Sequence, residues 1–249
     1  MTLEEEEQQQ PYGETTAERL RQLALSADAK ERLSALMTRY WEITAYAFLV
    51  ATAAVLRFYN LGARAMHHDE SLHAFFSYGF KKALGQIATG QIPAHDTYKH
   101  VPFMHGPFQF IAPGFIMFIF QDGEFQSRML AAGMGTAMVF MPFLLRKQLG
   151  TAGALATAAF IAFSPTLLYY SRFIREDIYT AFWTFGIVIF MWRYIATREN
   201  KFLYLTAGFL AGSFMTKETT FMTAAAFIIF MDFLFAVHIA ERCARKRRA

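Results

Sequence analysis

Five apolar runs, at about residues 41–60, 128–145, 151–170, 178–195 and 219–240, each match the roughly 17 to 25 residues a helix needs to cross a bilayer. A sixth, 202–216, is continuous but shorter. In hydrocarbon every backbone N–H and C=O must find its partner inside the segment, so runs of this length leave the chain a bundle of helices. Composition agrees: 55% of residues are hydrophobic, and the 18% that are charged collect at the ends of the runs. The net charge of +4 therefore follows from membrane topology and gives no reason to expect a nucleic-acid partner. A single cysteine, Cys243, excludes a disulfide framework and a thiolate metal cluster. The N-terminus, "MTLEEEEQQQ", is acidic and lacks the pattern of a signal peptide.

One segment is ambiguous. "FQFIAPGFIMFIF", residues 108–120, is 13 residues long and carries Pro113 and Gly114, which suits an interfacial helix better than a span. Charge decides the matter. If 108–120 does not cross, one side receives the first forty residues, "RKQ" at 146–148, "RYIATRENK" at 193–201 and "ERCARKRRA" at the end. That side then holds most of the Lys and Arg, as cytoplasmic loops do. The expectation is an all-α, polytopic membrane protein with about six transmembrane helices, both termini cytoplasmic, and a long first external loop, 61–127, carrying an interfacial helix. Residues 1–40 form an acidic tail and an amphipathic helix, 41–240 the transmembrane module, and 241–249 a basic tail.

The external side collects the chemistry. Six of the seven histidines, His67, His68, His73, His95, His100 and His105, fall in the first loop with Asp69, Glu70 and Asp96. "YYSRFIREDIY" adds Arg172, Arg175, Glu176 and Asp177, and "FMTKETTF" adds Lys217 and Glu218. Charges flanked this closely by apolar sequence need partners or a wet cavity. Each group also has a structural reading: "HHDE" can open a helix, with Asp69 as its cap or a first-turn acid, "SRFIRED" can staple the end of a span, and Lys217 can snorkel. "HDESLH" is not a zinc-protease motif, although Asp69 and His73, one helical turn apart, could share a metal. Taken together, an acid beside cations at a membrane surface suits activation of an acceptor hydroxyl and stabilisation of a departing lipid phosphate. Metal transport fits poorly, because most spans carry no ionisable groups near their middle.

The order of these strings is informative. An acidic pair follows the first span, then come "HGPFQF" and "EFQSRML", an Arg/Asp turn after the third span, and "TKE" after the fifth. From about residue 41 to 240 the chain resembles the GT-C superfamily of integral-membrane glycosyltransferases. It is most similar to the prokaryotic flippase-activity-associated protein family, through "HDESLHA", "HGPF", "SRFIREDIY" and "TKETTF". The resemblance implies an inverting glycosyltransferase of the prokaryotic cell membrane that takes sugar from a polyprenyl phosphate and acts on the external face. It implies Asp69 and Glu70 as the catalytic acid pair, with Asp69 serving as base or metal ligand. Arg172, Arg175, Lys217 and His105, the last beside Pro107, would bind the donor. Asp69, Asp177 and Glu176 would form the metal set for a divalent cation, Mg or Mn. Members of the superfamily carry further C-terminal spans, which a longer product or a second chain would supply. A lipid-sugar flippase, or a non-catalytic accessory subunit, would use the same donor site without bond breaking.

Overall fold

The computed structural model describes residues 30, 34, 40–95, 97–98 and 105–248. The tail and helix expected over 1–40 lie almost wholly outside the described residues, as do Asp96 and His100. The chain divides into two compact units, Met1–Ala45 and Tyr46–Ala249; α1 begins in the first, and the site and the remaining helices belong to the second.

The described elements are helical throughout. They are α1 (Tyr40–Phe58), α2 (His68–Ala88), α3 (Phe108–Phe120), α4 (Glu124–Phe140), a 3₁₀ turn (Met141–Leu145) and α5 (Arg146–Phe163). Then come α6 (Pro165–Tyr170), α7 (Glu176–Thr197), α8 (Asn200–Phe214) and α9 (Thr220–Arg248). Four stretches among the described residues are long and apolar enough to cross a membrane: Tyr40–Phe58, Glu124–Phe163, Glu176–Thr197 and Thr220–Cys243. The protein is thus a polytopic membrane protein.

The turn expected between the runs 128–145 and 151–170 is present, whereas the span expected at 202–216 needs adjusting. The 40-residue stretch Glu124–Phe163 would be about 60 Å long if straight, twice the hydrocarbon thickness. It folds back instead. Gly150 leaves the helical region at φ 70, ψ 162, and Val139 of α4 packs in one core with Ala154, Ala158 and Ala162 of α5. The expected span at 202–216 corresponds to α8, which has 15 residues and covers about 22 Å. It does not reach spanning length, and it returns alongside α7 with Phe209 set among Phe182, Trp183 and Phe190.

The apolar run 151–170 is also broken, at Ser164 (ψ 119), where Pro165 opens α6. Proline has no N–H, so the Ile161 carbonyl loses its helical donor. Arg57 of α1 replaces it. This guanidinium is fully buried and donates to the carbonyls of Ile161 (3.0 Å), Ala162 (3.3 Å) and Ala53 (3.3 Å), and to Ser171 Oγ (3.2 Å). An arginine placed here on an apolar helix therefore fixes the direction in which the chain enters the 171–177 turn.

The first loop holds two helices rather than one. α3 lies along α2, with Phe110 against His73 and Phe76, and Phe115 against Phe80. Gly114 makes the approach possible, since a Cβ there would stand 2.7 Å from the Ser77 carbonyl oxygen. The main core joins α4 to α7 through Ala131, Met134, Met138, Ile178, Tyr179 and Ile189. These contacts bring the first turns of α2, α4 and α7 together at one end of the bundle.

Candidate active site

The N-terminus of α2 assigns different places to the two adjacent acids. His67 caps the helix: its backbone is extended (φ −65, ψ 159) and its Nδ1 accepts the Asp69 N–H at 3.3 Å. Glu70, three residues on, reaches back to the His67 N–H at 3.1 Å, closing a reciprocal capping box. One helical step rotates the side chain by about 100°, so Asp69 points outward while Glu70 points in.

Glu70 is fully buried and engaged on both oxygens. Arg128 donates to it twice, Nε to Oε1 at 2.8 Å and Nη2 to Oε2 at 2.9 Å. Arg64 Nη2 adds a contact at 3.1 Å and the Ile174 N–H another at 3.3 Å. Burial pushes the Glu70 carboxyl up, but the Arg128 guanidinium and the two backbone N–H groups outweigh it and hold the group below the usual carboxylate range. A carboxylate so enclosed ties α2, α4 and the 171–177 turn together. Asp69 differs: its side chain is 47% exposed, with Arg175 Nη1 and His67 Nδ1 each at 3.9 Å.

Arg175 precedes α7, with its Nε 3.3 Å from Asp177 and 3.9 Å from Glu176. Lys217 donates to Glu176 Oε1 at 3.1 Å and to Asp177 Oδ1 at 3.0 Å. Burial lowers the affinity of Lys217 for its proton, yet the two carboxylates outweigh it and hold the ammonium above its ordinary value. His105 stands 3.3 Å from Glu176 through Nε2 and 2.9 Å from Glu218 through Nδ1.

"HGPF" and "TKE" are joined through their backbones. Gly106 N–H donates to the Thr216 carbonyl at 3.1 Å and Phe108 N–H to that of Met215 at 2.9 Å. A Cβ at position 106 would collide with the Met215 carbonyl oxygen, which is why glycine follows His105. Trp183 Nε1 secures the same turn through Thr216 Oγ1 at 3.0 Å.

Of the residues expected from the sequence, Asp69, Arg175, Glu176, Asp177, Lys217 and His105 therefore stand in one linked cluster. Arg172 stands elsewhere. Its Nη1 holds the carbonyls of Leu56 (2.6 Å), Arg57 (3.3 Å) and Tyr59 (2.9 Å) at the end of α1. Among the described residues no three His, Cys, Asp or Glu side chains come together as a metal-holding group. The expected set of Asp69, Asp177 and Glu176 does not fit a divalent cation, because Arg175 and Lys217 occupy the space between those acids.

Arg128, Gln109 and Tyr179 were not expected at the site, whereas His73 was already a candidate from the sequence. Arg128 was legible as a lone charge near the start of an apolar helix, within the quoted "EFQSRML". Beneath the cluster lie His73, Gln109 and Tyr179, all buried, with His73 Nδ1, both Gln109 amide atoms and the Tyr179 hydroxyl lacking a protein partner among the described residues. Burial lowers the His73 pKa, against the pull of Glu176 and Asp69, so its ring is neutral at physiological pH.

A family model described as dolichyl-phosphate-mannose-protein mannosyltransferase matches residues 104–249. No curated protein and no solved structure matches the chain. With that match covering more than half its length, on a polytopic helical fold that gathers acids and cations at one end, the chain belongs to the dolichyl-phosphate-mannose-protein mannosyltransferase family of membrane glycosyltransferases.

Proposed function

We propose that the protein transfers mannose from a polyprenyl phosphate to an acceptor hydroxyl with inversion at the sugar carbon, and that Asp69 is the general base. The observation that carries this reading is the contrast between neighbours: Glu70 is locked by Arg128, whereas Asp69 is half exposed and 3.9 Å from Arg175. Asp69 takes the proton from the acceptor hydroxyl as its oxygen forms the new bond to the anomeric carbon. The sugar–phosphate bond breaks on the opposite face, and the phosphate leaves with the electron pair. Inversion in one displacement needs no covalent enzyme intermediate. Arg175, 38% exposed and held by contacts of 3.3 Å or longer, receives the charge growing on the phosphate. Lys217 and His105 hold Glu176 and Asp177 in place beside it.

The active face is external in this reading. Lys and Arg cluster at 146–147 and 193–201, at the opposite ends of α4, α5 and α7 from Asp69's cluster, and that charge bias supports a cytoplasmic placement for them. Within the family, "HDESLHA" and "TKETTF" support grouping the chain with the prokaryotic flippase-activity-associated proteins.

Reconstitution in vesicles separates transfer from translocation. Asp69→Asn is expected to abolish mannose transfer and leave translocation of a lipid-linked sugar unchanged, while Arg175→Gln weakens donor use in both assays. Equal loss of translocation and transfer in Asp69→Asn would favour a flippase over a transferase.

A further inference from the structure

A small cavity lies at the C-terminal end of α1, and Asp69 is not among the residues that line it. It measures about 110 Å³ and is lined by Asn60, Leu61, Arg64, Arg128, Tyr169 and Arg172. A water occupies about 30 Å³, so the space suits a phosphate group and is small for a sugar ring.

Its charge is opposite to that of the acid cluster. Three guanidinium groups line it, and two carboxylates touch them: Glu70, and the partly exposed Glu124 at 3.8 Å from Arg128. Arg57, whose carbonyl Arg172 holds, adds a further positive charge with no carboxylate among its hydrogen-bond partners. Around Asp69, by contrast, the four acids Asp69, Glu176, Asp177 and Glu218 outnumber Arg175 and Lys217.

Donors remain available in the cavity. Arg172 uses Nη1 on the end of α1, and Arg64 uses Nη2 on Glu70. The other guanidinium nitrogens of these two residues make no protein hydrogen bond among the described residues. The bonds already made hold each guanidinium in place, so planar, bidentate recognition of a tetrahedral anion costs little reorganisation. Helix-end carbonyls would otherwise make this spot negative, and Arg172 has neutralised them.

We propose that this cavity is a phosphate site, taking a phosphate group presented either by a membrane lipid or free in solution. The inference stands on the cavity and its charge and does not depend on the transfer reaction.

The test is thermal unfolding of the purified full chain in lipid nanodiscs. One arm compares inorganic phosphate with chloride at matched ionic strength in phosphatidylcholine. The other compares phosphatidylglycerol with phosphatidylcholine bilayers. At ten times Kd, binding raises the midpoint by about 3–5 °C for a chain of this size. The shift is expected to persist in Arg175→Gln and to vanish in Arg64→Gln. Asn60→Asp guards against misfolding of the arginine variant: it keeps a residue type that tolerates the left-handed backbone at φ 54 and places a repelling charge in the cavity. It too should abolish the shift. A response to inorganic phosphate identifies free phosphate as a sufficient ligand, and a response to phosphatidylglycerol alone identifies a lipid-borne one. No shift in either arm overturns the proposal, as does a shift that survives both Arg64→Gln and Asn60→Asp or is lost in Arg175→Gln.

Discussion

Glu70→Gln is the perturbation whose size the structure fixes best. The carboxylate accepts five hydrogen bonds: two from Arg128, one from Arg64, and one each from the backbone N–H groups of His67 and Ile174. Glutamine preserves the shape but offers one acceptor oxygen, and its amide turns donors toward donors. Both Glu70 and Arg128 are sealed from solvent, so removing the negative partner leaves a buried guanidinium whose remaining carboxylate, the partly exposed Glu124, stands 3.8 Å away. That costs about 3–5 kcal/mol, or roughly 6–20 °C in the unfolding midpoint at about 2–4 °C per kcal/mol. The half-exposed Lys81–Asp122 pair is the control: Asp122→Asn should cost about 0–1 kcal/mol. Adding Arg128→Leu to Glu70→Leu should restore part of the loss, since the unpaired charge leaves with it. Recovery stays incomplete because Arg128 Nη1 also donates to the carbonyls of Leu61 and Arg64. The assay is thermal unfolding in detergent followed by size-exclusion chromatography. A Glu70→Gln midpoint within 2 °C of wild type, or strictly additive single and double losses, would refute the burial and pairing argument.

Other consequences are open to the same assay. Folding depresses Glu70, so its stabilisation is complete above the ordinary value of 4.5 and is lost as pH falls through the lower folded value; Glu70→Gln should flatten that acid limb. His73, also depressed, acts with the same sign from an ordinary 6.5, so His73→Gln should remove the loss of stability that begins below that pH. Lys217 is raised and acts oppositely: its contribution is complete below 10.5 and is lost as pH climbs through the higher folded value, a limb that Lys217→Met should erase. Gly106→Ala drives a methyl into the Met215 carbonyl and should cost about 1–3 kcal/mol while reducing mannose transfer, measured side by side. Arg57→Met strands the Ile161 and Ala162 carbonyls and should cost at least about 2 kcal/mol, with Arg57→Lys a poor substitute because one ammonium cannot reach all four acceptors.

The sequence carried the gathering of charge but not its internal division. Three distant strings, around Asp69, Asp177 and Lys217, were legible as one group because run lengths and charge bias place them on one face, and the structure brings them within ion-pair distance. Asp69 and Glu70 could not be told apart, since adjacent acids look alike until helix rotation is fixed. The cue was present in the spacing of His67 and Glu70, but histidine is an unusual cap, and the Ser/Thr-x-x-Glu pattern was missing. Arg128 and Arg57 act through contacts 58 and more than 100 residues away in sequence, beyond any local pattern. The break at Pro165 was visible as a proline, yet its consequence depended on a guanidinium arriving from another helix. Likewise, Arg172 and Arg175 read alike in "SRFIRED", and only the fold sends one to the end of α1 and the other to Asp69.

The central claim is that Asp69 activates the acceptor in a displacement from a lipid-linked sugar. The most direct measurement is the single-turnover rate of polyprenyl phosphate release from synthetic polyprenyl phosphomannose, with acceptor present, for wild type and Asp69→Asn matched in unfolding midpoint and donor affinity. Release is expected in the wild type, at a rate about 100- to 10,000-fold above that of Asp69→Asn, the range a general base supplies, with donor affinity unchanged. Equal rates in the two proteins would contradict it.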